Sequence, residues 1–63
     1  MLVKNFNNGK RYSIMYQGII NATNAVDGQR MVLYESYDVD DEILFVIEEK
    51  EFWKKFELIS GGM

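Results

Sequence analysis

The chain has 63 residues, no cysteine, no histidine and a net charge of −3. That length allows one domain at most, and the missing residue types remove disulfides, cysteine–zinc sites, thiol chemistry, and both the commonest metal ligand and the commonest general base. A chain this short buries only about 60% of the surface its unfolded form exposes, so it needs a dense core or a second chain to support it.

Nine aromatic residues (four Phe, four Tyr, one Trp) favour the dense core, because each ring can bury roughly 150–250 Å². Self-association stays open. Charge is split unevenly: residues 1–34 sum to +3 and residues 35–63 to −6. Ordinary solvated faces account for most such splits. The sharper reading is a dipolar surface suited to head-to-tail association or to a basic partner. The four basic residues of the first half are scattered rather than set in a stripe, which disfavours nucleic acid. Met1–Phe6 shows no signal-peptide pattern, and the longest apolar run, Ile43–Ile47, is too short to span a bilayer. A cytoplasmic location without membrane contact is therefore expected.

In chain order, Leu2–Phe6 reads as a strand, followed by Asn7-Asn8-Gly9-Lys10. Asn8-Gly9 is a strong hairpin signal, since both residues tolerate the positive φ of a type I′ turn. The returning strand is Arg11–Gln17, where Tyr12, Ile14 and Tyr16 alternate with Arg11, Ser13 and Gln17. Met15 interrupts the polar face and implies partial cover there. Gly18 predicts a bulge or bend before Ile19 and Ile20 continue the strand. Asn24–Gln29 forms a second hairpin turn around Asp27-Gly28. Arg30–Tyr37 returns with Val32 and Tyr34 on one face and Met31, Leu33 and Tyr37 on the other. Two apolar faces mean a central strand, or one whose outer face meets something.

Asp38-Val39-Asp40-Asp41-Glu42 is an acidic tip, and Ile43–Ile47 reads as the central strand with Ile43, Phe45 and Ile47 inward. In Ile47–Ile59, the rings Phe52, Trp53 and Phe56 fall at three- and four-residue steps and can share one side of a helical turn. Glu48, Glu49 and Glu51 lead it and Lys54 and Lys55 close it, an order that suits the helix dipole. So short a helix is unstable alone, so the sheet is expected to cover its rings. A membrane-binding helix fits less well, because the polar face holds more acid than base. Glu57-Leu58-Ile59 forms a last short strand. The whole predicts a mainly β fold: one domain over residues 1–60, a five-stranded small barrel with one helical turn before the last strand, and a flexible tail at 61–63.

This order resembles SH3-like small β-barrels, which place a helical turn just before the last strand. A second likeness is to a family of short uncharacterised bacterial domains with a Gly-x-x-Tyr opening, a Val-x-Tyr strand and a Leu-Trp-Val segment running into a Phe-containing turn. The matching pieces are Gly9-Lys10-Arg11-Tyr12, Val32-Leu33-Tyr34, and Leu44-Phe45-Val46 leading to Glu51-Phe52. The stretch from Tyr12 to Val32 is longer than in that family, and Ile47-Glu48 stands where the family carries Arg-Pro. The resemblance implies a fold and no activity, since such barrels host many functions.

Asp38-x-Asp40-Asp41-Glu42 lacks the spacing, glycine and closing glutamate of a calcium loop and reads as a solvated tip. The serines have no histidine to activate them, and the acids sit in solvated runs rather than an apolar pocket. No enzyme activity, metal or cofactor is expected. Tyr and Trp are favoured at binding faces. The first reading is accordingly a non-catalytic interaction module, an adaptor or inhibitor of the kind bacteriophages carry. It would bind a protein partner, or its own copy, through Tyr34, Tyr37 and Trp53, with Asp40, Asp41 and Glu42 steering the approach. The alternative is a homo-oligomeric sponge for a nucleotide or other small ligand, with Lys10, Arg11 and Arg30 supplying positive charge.

Overall fold

The computed structural model describes residues 1–23 and 28–60. Over that span the strands are β1 (Leu2–Asn5), β2 (Arg11–Asn21), β3 (Gln29–Ser36), β4 (Leu44–Glu48) and β5 (Phe56–Ser60), with α1 (Glu49–Lys55) between the last two. They form one antiparallel sheet in the order β4-β3-β2-β1-β5.

The mainly β fold and the helix before the last strand follow the sequence reading, but the sheet is open rather than closed into a barrel. β4 and β5 are its two edges. Closure is one way to hide an apolar sheet face; here α1 lies across that face instead. The position of β4 corrects a second expectation. The apolar run at 43–47 is not central: among the described residues β4 pairs with β3 alone, and Ile43 is exposed. Only Phe45 and Ile47 of that run point toward the helix side, opposite Tyr34 and Val32.

The first hairpin forms, but not as a two-residue turn. Type I′ needs a left-handed φ at both central residues; Gly9 has one (+69°), and among the described non-glycine residues Glu42 alone does. The loop instead spans Phe6–Gly9. Asn5 N–H donates to the Lys10 carbonyl and Gly9 N–H to the Asn5 carbonyl, each at 2.9 Å. The Asn5 carboxamide oxygen accepts from Asn7 N–H (2.8 Å) and Asn8 N–H (3.1 Å), the local side-chain bonding that makes Asn a turn residue. The second turn, read at Asn24–Gln29, lies mostly outside the described residues, as does the tail at 61–63. Gly28 is described, with φ +90° and its N–H donating to Asn21 O at 2.8 Å.

β2 carries two register shifts against β3, between Ile14 and Tyr16 and between Gln17 and Ile19. Each extra residue moves the following side chains to the other face. Tyr12 and Ile14 therefore oppose Ser36 and Tyr34 on the helix side, whereas Tyr16 opposes Leu33 on the outer side. Simple alternation placed Tyr16 with Ile14; the bulge at Met15 separates them, and Tyr16 is 63% exposed. The shift at Gly18 is the bend expected from the sequence. Its φ is +70°, and an added Cβ would come within 2.8 Å of Arg30 Nη2. The end of a guanidinium can swing aside, so the backbone term dominates. Gly18→Ala should lower unfolding free energy by about 1–2 kcal/mol, the left-handed penalty for an L-residue, read as a lower urea midpoint at unchanged slope.

Among the described residues the fully packed core is Val3, Ile14, Val32, Phe52 and Phe56, with Met1, Tyr12, Tyr34 and Ile47 against it. Phe52 and Phe56 stack at 4.4 Å, and Tyr34 meets both rings edge-on at 5.3 and 5.2 Å. Helix α1 has acids in its first turn and lysines in its last. Glu51 pairs with Lys54 at 3.2 Å rather than with Lys55. Its end is tied down by Phe6 N–H donating to Lys55 O and Phe56 N–H to Phe52 O. Glu49 faces Arg30: Nε lies 3.4 Å from Oε2 and donates a long hydrogen bond to Oε1 at 3.5 Å, while Oε2 itself receives none.

Candidate functional site

The residues singled out from the sequence do not form one patch. Tyr34 belongs to the interior cluster, stacked on Phe45 at 5.2 Å and edge-on to Tyr12 at 5.6 Å. Burial, and secondarily the nearby Tyr12, push its phenol above the usual range. Trp53 sits on α1, on the helix side of the sheet. It packs edge-on against Phe52 at 4.9 Å and is 37% exposed. Of the three rings in 47–59, two are buried in the core and the indole sits partly exposed beside Phe52.

Tyr37 is different. It follows β3, is 56% exposed, and its N–H donates to Arg11 O at 3.1 Å. The Arg11 guanidinium lies 5.0 Å from its ring centre, within cation–π range. The same guanidinium forks onto Asp38, with Nε 3.1 Å from Oδ2 and Nη2 on Oδ1. The hydrogen bond to Asp38 and then its charge hold Arg11 protonated more firmly than usual. These contacts tie the first residue of the acidic tip to β2. Asp41 Oδ1 accepts from Ile43 N–H at 3.1 Å, and Glu42 takes a left-handed φ of +58°.

Between this tip and the strands is an open depression of about 440 Å³, lined by Ser13, Glu35, Ser36, Tyr37 and residues 38–42. Five of the lining side chains are carboxylates and none is basic. Asp40, Asp41 and Glu42 therefore do converge with Tyr37.

The depression continues into the outer face of the sheet. Cross-strand partners share a face, so the registers set out rows. Ser13, Glu35 and Leu44 form the row beside the depression; Tyr16, Leu33 and Val46 the next; Ile19, Met31 and Glu48 the last. Leu44, Val46, Tyr16 and Ile19 are exposed, Val46 by 60%. The sequence reading missed this surface as a site. Its signals were the second apolar face of β3 and the odd Met15, but the two bulges that bring Tyr16 and Ile19 onto the same face were not both legible.

Lys10 and Arg11 lie at one end of the β2–β3 hairpin. Arg30, opposite Ile20, lies at the other, nine residues along β2 and roughly 25–30 Å away. Arg30 lines a second, smaller concavity of about 280 Å³ with Gln29, Glu48 and Glu49, where Gln29 Nε2 donates to Glu48 Oε2 at 2.8 Å. Within one chain the three basic residues do not surround a common anion. Among the described residues no helix is long and apolar enough to cross a membrane. No family model matches the chain, and neither a curated protein nor a solved structure matches it.

Proposed function

We propose that the chain is a non-catalytic protein-interaction module, a small adaptor or inhibitor acting in the cytoplasm. The observation that carries this reading is an exposed apolar sheet face bordered by Tyr37 and a carboxylate-rich rim. Contiguous apolar surface rimmed by polar groups marks interaction sites. Exposed tyrosines supply contact area with few rotors and a polar handle. Carboxylates at the rim act over distance, so Asp40, Asp41 and Glu42 would steer a basic partner rather than anchor it. The SH3-like reading belongs to this proposal: five antiparallel strands with a helix before the last support it, while the open edges set this sheet apart from a closed barrel.

The test is capture of a partner from cell extract by the immobilised chain, followed by Tyr37→Ala and Tyr16→Ala. Both residues are exposed, so the melting temperature should hold while binding weakens by about 2 kcal/mol, the scale of an aromatic hot spot. Capture undiminished by either change would rule this surface out.

A further inference from the structure

The two edges of the sheet are built differently. β5 is defended. Its pairing with β1 shifts register between Leu2 and Val3, Glu57 sits within it, and Lys54-Lys55 lead into it. Bulges and charges are the ordinary means by which an edge strand avoids recruiting another strand. β4 has neither in its body. It pairs with β3 over five consecutive positions without a shift, from Met31↔Glu48 to Glu35↔Leu44. Leu44-Phe45-Val46-Ile47 contains no charge, Pro or Gly, and both Leu44 and Val46 are more than half exposed. As the last strand of the sheet, β4 turns one side of its backbone toward no other strand among the described residues.

The flanks of β4 choose what it can accept. Asp40, Asp41 and Glu42 precede it and Glu48 ends it; Glu49 and Glu51 follow, already paired with Arg30 and Lys54. Antiparallel pairing of two β4 strands would set the acids before one against the acids after the other, and opposed like charges destabilise a strand pair. The same carboxylates complement a strand with Lys or Arg at both ends. We propose that β4 is a docking edge for an extended partner segment with an apolar centre and basic ends, which adds to the sheet as a sixth strand. Backbone hydrogen bonds would supply affinity, and alternate side chains would meet Leu44 and Val46 on one face and Phe45 and Ile47 on the other. This rests on the interaction-module reading and adds to it the place and chemistry of the partner.

The test uses the full chain and a labelled synthetic peptide, Lys-Lys-Val-Thr-Val-Thr-Val-Arg-Lys, followed by anisotropy and by amide hydrogen exchange. Binding is expected to slow exchange across residues 44–48 and to weaken as salt rises. A peptide with Pro at its centre should lose binding, since Pro cannot donate to the ladder. Val46→Lys should weaken binding about tenfold or more by placing a charge on the edge. If that variant fails to fold, Glu42→Lys leaves the edge backbone intact and should still weaken binding. Equal binding of the Pro peptide, no binding at all, or a wild-type chain already paired through β4 with its own copy would each overturn the proposal. Protection confined to residues 37–42 would overturn the docking edge and leave the interaction module standing; failure of that module is read separately, from the Tyr37→Ala and Tyr16→Ala captures.

Discussion

Phe52→Ala should unfold most of the chain at room temperature. Phe52 is fully buried, stacked on Phe56 and edge-on to Tyr34 and Trp53. Truncating a buried phenylalanine costs about 3–5 kcal/mol, because transfer and cavity terms add. A domain of this size, with no disulfide, has a total stability of about that magnitude. Far-UV circular dichroism should therefore show lost β structure without denaturant. Trp53→Ala is the informative contrast. The indole is partly in water and its ring touches the core along one edge, so that variant should stay folded with a lower urea midpoint. If the two substitutions cost the same, the indole is as deep in the core as its neighbour and the division of the three rings is wrong.

That division shows where sequence reading reaches and where it stops. Phe52 and Phe56 were legible as core because a four-residue step on a short helix leaves them one face to share. The same periodicity assigned Trp53 to that face as well, but it falls next to Phe52 in sequence, a step that turns it toward the rim. The strands show a parallel limit. Period-two alternation located β2 and β3 and gave Val32 and Tyr34 correctly. It misplaced Tyr16, because an extra residue at Met15 reverses the side chains after it until the second shift restores them, and methionine carries no local signal for a bulge. Gly18 does, and the second shift was expected there. The apolar run at 43–47 read as central because apolar strands are usually covered on both faces. Its edge position depends on β5 returning to pair with β1 rather than β4, a long-range choice that composition does not encode. The candidate site was legible at the acidic tip and Tyr37, where exposure follows from charge. It was hidden on the outer face, where exposure follows from register.

Tyr34 is where the aromatic cluster becomes testable by pH as well as by truncation. Tyr34→Ala should cost about 3 kcal/mol, the low end for a large buried ring, because Tyr34 is half-buried but touches Tyr12, Phe45, Phe52 and Phe56 at once. Tyr34→Phe keeps those contacts and should change neutral-pH stability little. Alkaline solution separates the two roles. Burial raises the folded phenol's pKa above its unfolded value, so between the two the unfolded chain has released a proton that the folded chain still holds. Stability must then fall as pH rises. The loss begins as pH passes the unfolded value near 10 and is complete above the folded one; below 10 the contribution is fully present. Urea midpoints across this range should drop for the wild type and drop less for Tyr34→Phe. An alkaline limb unchanged in Tyr34→Phe would mean that another group sets it, and that the Tyr34 hydroxyl reaches water more freely than its packing against four rings implies.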